Sequence, residues 1–193
     1  MSDFVKFFKK ARLNGYGTDG AKITKTNNGY TTVIRYTSEK YPDYEYTDVY
    51  SGAQMFFGRE EIKRDGLPLF SMSYGGTEYR SFEENPAIAE CLKKALIEGA
   101  EHSNTLRGPK HLIVGDWVYV VDDHESVAPK DIWWCRCTEY IISKNAFKHI
   151  LDEYRIDQNM VGKFLSSRMS EFAFEEKYGV AFMCSYQGGS IIL

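Results

Sequence analysis

Between Tyr44 and Gly76 the residue types alternate with the two-residue period of an extended chain. Tyr44, Tyr46, Asp48 and Tyr50 fall on one face, with Glu45, Thr47 and Val49 on the other, so three phenols and a carboxylate stand in a row. After Ser51-Gly52, residues 53–62 place Phe56, Gly58, Glu60 and Ile62 together. Arg64-Asp65-Gly66 supplies hairpin-turn residues, and residues 67–74 return with Phe70, Met72 and Tyr74 on one side before Gly75-Gly76. Residues 30–38 alternate as well and add a fourth strand. The connections are too short for crossovers, so the sheet is expected to be antiparallel.

The period lengthens elsewhere. Phe4, Phe7, Phe8 and Ala11 follow helical spacing behind a Ser2 or Asp3 cap, with Lys6, Lys9, Lys10 and Arg12 assigned to the opposite face. Residues 14–29, rich in Gly, Asn and Thr, read as a loop. Asn85-Pro86 opens a helix with Ile88, Leu92, Ala95, Leu96 and Gly99 on its apolar stripe. Strands are expected over 111–122, with a turn at Gly115-Asp116, and over 131–143. Ser143 and Asp157 then cap two helices, one carrying Phe147, Ile150, Leu151 and Tyr154, the other Val161, Phe164, Leu165, Met169 and Phe172. Residues 178–193 close the chain as a strand.

Two stretches share one skeleton. Residues 69–77 and 181–190 are aromatic-led strands ending in Ser-Tyr and a glycine pair, Gly75-Gly76 and Gly188-Gly189. Upstream, Phe56-x-Gly58-x-Glu60-x-Ile62 aligns with Cys135-x-Cys137-x-Glu139-x-Ile141. The fold class that follows is α+β: antiparallel sheets from a pseudo-duplicated strand unit, helices packed on the sheet, and a two-helix insertion in the second half. One domain of two degenerate halves, about 1–104 and 105–193, is expected for a chain of this size.

Composition narrows the function classes. A net charge of −3 with both signs interspersed argues against a nucleic-acid or membrane-surface binder, and no run approaches the roughly 20 apolar residues of a membrane span. The chain opens with Met-Ser-Asp and carries no apolar leader, so the cytosol is the expected compartment. Cys91, Cys135, Cys137 and Cys184 form no second Cys pair and the histidines are scattered, so buried thiols rather than a metal site are expected. The acidic run at residues 122–125 lacks the alternating ligands and central Gly of a calcium loop. No Gly-x-Ser-x-Gly elbow, His-Glu-x-x-His or kinase set is present, and no cofactor motif.

The pattern Tyr46-x-Asp48-x-Tyr50-x-Gly52, Phe56-x-Gly58-x-Glu60, Gly66-x-Pro68 and Met72-x-Tyr74-x-Gly76 resembles a bacterial domain of unknown function. That domain often follows a Cro/C1-type helix-turn-helix in regulators. Arg107-Gly108-Pro109 and Tyr186-x-Gly188-Gly189-x-Ile191 are similar to its second half. Here the helix-turn-helix is missing, and Cys135-x-Cys137-x-Glu139 replaces a second Phe-x-Gly-x-Glu. What the resemblance implies is a stand-alone sensory or interaction domain, with no activity to carry over.

The candidate ligand-binding residues are Tyr46, Asp48, Tyr50, Glu60, Tyr74, Arg107, Glu139 and Tyr186. Stacked tyrosines would grip a planar or polar small molecule while Asp48 and Glu60 orient it. Glu60 and Glu139, equivalent in the two copies, and Arg107 between them are expected to meet; an ion pair holding the halves in register would account for them without a ligand. The expected function is non-catalytic binding of a small molecule. The alternatives are a protein-interaction or inhibitor protein, monomeric or homodimeric, and a small hydrolase.

Overall fold

The computed structural model describes residues 3–15, 22–25, 31–102, 107–123, 126–128, 132–171 and 173–190. The expectations for the acidic run beyond Asp123, the Cys135 side chain and Phe172 lie outside the described residues or side chains. Helix α1 (Asp3–Gly15) is followed by β1 (Lys22–Lys25), β2 (Thr31–Ser38), β3 (Tyr41–Gly52), β4 (Met55–Arg64) and β5 (Leu67–Glu78). Helix α2 (Pro86–His102) leads to β6 (His111–Val114), β7 (Trp117–Asp123), β8 (Ser126–Ala128) and β9 (Ile132–Ser143). Then come α3 (Lys144–Tyr154), a 3-10 turn (Gln158–Met160), α4 (Val161–Ser166), α5 (Phe174–Lys177) and β10 (Val180–Ser190).

Among the described residues the strands form one antiparallel sheet in the order β1-β2-β3-β4-β5-β10-β9-β7-β6, with β8 on β9. The fold is α+β, built mostly of sheet. The two copies meet at its centre, where β5 pairs with β10. Tyr74 faces Tyr186, Gly76 faces Cys184 and Met72 faces Gly188, so exchanging the copies maps the pairing onto itself. The relation extends outward: Glu60 lies opposite Met72 as Glu139 lies opposite Cys184, and Tyr46 lies opposite Ile62 as Tyr119 lies opposite Ile141.

Local chemistry explains most boundaries. Asp65 and Gly66 both take positive φ (52° and 77°), the geometry of a two-residue hairpin whose twist matches its strands. Ser143 Oγ accepts from the Ala146 amide at 3.2 Å to start α3, and Asp157 caps the 3-10 turn from Asn159 at 2.8 Å. Two expectations need correction. Within the stretch read as a loop, Lys22–Lys25 pairs with β2; four residues are too few for alternation to register, and the neighbouring strand supplies the partner. The helix expected to reach Phe172 stops at Ser166 and leaves Met169 exposed. There the Ser167 hydroxyl donates to the Phe164 carbonyl at 2.7 Å, and serine in a helix competes for backbone in this way.

Helices α1 and α2 touch each other on one face, α1 over β2 and β3, α2 over β6 and β7. Their core includes Phe7, Phe8, Tyr46, Ile62, Phe70, Ile88, Cys91, Tyr119 and Ile141. The opposite face is covered in the second copy alone. There α3 to α5 pack Phe147, Ile150, Val161, Leu165 and Phe174 against Val118, Val120, Tyr140, Ile142 and Val180. In the first copy that face presents Val49, Arg59 and Ser73 to solvent. Among the described residues no helix is long and apolar enough to cross a membrane.

Candidate functional site

At the centre of the helix-covered face lies a row of buried charges. Arg107 donates from Nε and Nη2 to the two carboxylate oxygens of Glu139, at 2.7 and 2.8 Å, and Nη2 also donates to the Tyr186 hydroxyl. Its guanidinium sits 3.8 Å from the centre of the Tyr186 ring. From Nη1 it makes a longer contact to Glu60 Oε1, 3.4 Å, while Glu60 Oε2 accepts from Arg12 Nη2 at 2.9 Å. The sequence Arg12, Glu60, Arg107, Glu139 therefore alternates in sign, and all four are at most 6% exposed. Isolated charges this deep would be prohibitive, and pairing is what makes them tolerable.

The fold puts these groups together for local reasons. Glu60 and Glu139 hold equivalent places on β4 and β9 and project to the same face. Arg107 enters between them because the backbone after α2 presses onto Gly99, where any Cβ would overlap the Arg107 carbonyl. Burial alone would raise the Glu139 pKa, but the Arg107 charge and bonds from Arg107, Tyr119 and Tyr186 outweigh it and hold the carboxyl below its ordinary range. Tyr119 donates to Glu139 Oε1 at 2.7 Å and accepts from the Gly108 amide at 3.2 Å.

Above the charges is a cavity of about 390 Å³ between α2 and β3, β4, β5 and β10. Five of the eight sequence-derived residues border it: Tyr50, Glu60, Tyr74, Arg107 and Tyr186. The other three lie beneath or beside it. Glu139 holds Arg107, Asp48 accepts from the Tyr74 hydroxyl at 2.9 Å, and Tyr46 packs with its ring 6.4 Å from Phe8 under α1. Tyr74 and Tyr186 stack at a tilt with centres 5.4 Å apart, and Phe56 lies nearly parallel to Phe182 at 5.9 Å.

Sequence patterning missed several participants. Arg12, assigned to the solvated face of α1, points inward: it lies one turn beyond Phe8, over whose ring its guanidinium sits at 4.3 Å. The i,i+4 spacing from Phe8 carried that signal. Phe82, Phe182 and Glu78 also border the cavity. Phe82 and Glu78 come from a stretch of no clear period, where the Glu78 carboxylate accepts from the Phe82 amide at 3.1 Å. No group of three His, Cys, Asp or Glu side chains suited to a metal ion occurs among the described residues.

A family model described as a domain of unknown function, DUF5680, matches residues 48–146. The chain belongs to the DUF5680 family. The matched segment runs from Asp48 on β3 into α3, and so carries Tyr50, Glu60, Tyr74, Arg107 and Glu139; α1 with Arg12, and β10 with Tyr186, lie outside it. Comparison with curated proteins and with solved structures found no match. In this DUF5680 chain the site offers a mostly apolar chamber with aromatic walls and a charged floor, and the buried Cys91 and Cys184 are poor nucleophiles. Burial is the main force that pushes the Cys91 thiol up to about 11 and the Cys184 thiol higher still.

Proposed function

We propose that this DUF5680 chain is a non-catalytic binding domain that takes a small molecule between α2 and the centre of its sheet. The observation that carries this reading is the chamber of about 390 Å³, within the range of small-ligand sites, where Tyr50, Phe56, Tyr74 and Tyr186 converge over Glu60 and Arg107. The charged floor would orient a polar group, and the rings would grip a flat or apolar body. The resemblance to a bacterial domain found behind a Cro/C1-type helix-turn-helix fits a sensor of a cytosolic metabolite.

A thermal-shift screen against metabolites and nucleotides tests it. A ligand at 100 times its Kd adds about 2.7 kcal/mol, a readily seen rise in Tm, and Tyr74→Ala should abolish the shift. Silence across the library overturns the reading.

A second reading is favoured by one observation. Met55 and Phe57, at the start of β4, are 75% and 68% exposed, a patch suited to a protein partner. Under that reading the metabolite screen is silent, and Met55→Ser with Phe57→Ser abolishes partner capture.

A further inference from the structure

The chamber's walls carry more information than its size. Rings of Tyr50, Phe56, Tyr74, Phe82, Phe182 and Tyr186 border it, with Arg107 over one face of Tyr186 and Phe56 stacked on Phe182. An aromatic face is the negative side of its quadrupole, so an aromatic-lined space suits a positive charge. The charged side chains on the wall are Glu60, Glu78, Arg107 and Lys93. Arg107 is engaged: Nε and Nη2 donate to Glu139, Nη2 also to Tyr186, Nη1 faces Glu60, and the plane lies against the Tyr186 ring. An anionic ligand would have to displace a buried carboxylate from that guanidinium, which leaves Glu139 without its counter-charge. Glu78 is different. It is half-buried on β5 between the chamber and the surface groove beside residues 79–85, with one oxygen bonded to the Phe82 amide.

We infer that the ligand is an organic cation, a protonated or quaternary amine on an aromatic or branched apolar body, with its charge among the rings near Glu78. The inference rests on the small-molecule reading above. The cation gains from the rings and the Glu78 carboxylate, and its body replaces the chamber's apolar contacts. Half-buried Lys93, on α2, opposes it, as does Arg107 from the floor, where Glu139 offsets its charge.

Isothermal titration of the full chain with three probes of one body tests this: 3-phenylpropylammonium, 3-phenylpropanol and 3-phenylpropanoate. The cation should bind about tenfold tighter than either of the others. Phe56→Leu keeps an apolar wall but removes a ring face, and Glu78→Gln removes a charge at a half-buried position; each should weaken the cation about three- to tenfold while changing the alcohol by less than about twofold. Lys93→Gln should tighten the cation. Circular dichroism and Tm establish that the variants fold. Equal or tighter binding of the alcohol or the carboxylate overturns the cation inference. So does silence of all three probes, or an equal loss for cation and alcohol in Phe56→Leu. In each case the small-molecule reading survives if the metabolite screen returns a hit, and falls with it if that screen is silent.

Discussion

Glu60 and Glu139 stand at the same register position in two copies of one strand unit, yet their surroundings differ. Glu139 receives both arms of Arg107 and the Tyr119 hydroxyl. Glu60 receives one arm of Arg12 and a long contact from Arg107. Tyr46, the counterpart of Tyr119, has a buried hydroxyl with no hydrogen-bond partner among the described residues, and Arg12 leaves Nε and Nη1 in the same condition. The chamber opens beside Glu60, and the insertion of α3 to α5 backs the Glu139 half. Duplication made two equal frames; one became a satisfied, braced structural centre, and the other kept unfilled space and unspent hydrogen-bonding capacity. Under the proposed function a ligand sits in the latter, whose open space borders Glu60.

The contrast can be broken most directly by paired substitutions. Glu139→Gln takes away the carboxylate that holds both arms of Arg107 and the Tyr119 hydroxyl and should cost the upper end of about 3–5 kcal/mol in urea unfolding, whereas Glu60→Gln, which breaks one close bond to buried Arg12, should cost the lower end. Equal costs would mean that the two halves are equally braced. Next in size is the tyrosine pair. Tyr119→Phe removes a hydrogen bond to a buried carboxylate and should cost about 1.5–3 kcal/mol, whereas Tyr46→Phe removes an unpartnered buried hydroxyl and should be neutral or slightly stabilising.

Acid sharpens the same comparison. The Glu139 carboxyl lies below its ordinary 4.5 in the folded protein, so its contribution is complete above about 4.5 and fades as pH falls through the folded value. The stability gap between the native chain and Glu139→Gln should therefore be widest near neutral pH and narrow below about pH 4.5 in urea titrations. A gap that stays constant would refute the assignment of a charged native Glu139. The smallest effect concerns the thiols: Cys91 and Cys184, raised by burial, should resist a thiol reagent at neutral pH until the chain unfolds. Fast labelling of either would mean that the core beneath α2 opens.

Much of the fold was legible because strand pairing leaves a period in the letters. The Ser-Tyr and glycine-pair endings marked the two copies, and the structure pairs these strands with each other, Tyr74 beside Tyr186. The Asp65-Gly66 turn and the Ser143 cap were readable because positive φ and an unsatisfied helix start each demand particular residues. Arg12 was harder: a long cationic side chain scores as solvated whichever face it takes, and its burial depends on a carboxylate 48 positions away. The cavity was less legible still. Phe82 and Glu78 belong to it through the path of the chain between β5 and α2, which no local pattern encodes.

Residue order by itself determined the repeat, the antiparallel pairing, the caps and turns, and the face on which Glu60 and Glu139 lie, since each follows from interactions a few residues apart or from side-chain alternation. Tertiary structure alone decided that Arg12 meets Glu60, where β1 joins the sheet, and that the space beneath α2 stays open. These depend on how helices seat across a sheet, where the energies are set by burial and by distances between segments far apart in the chain.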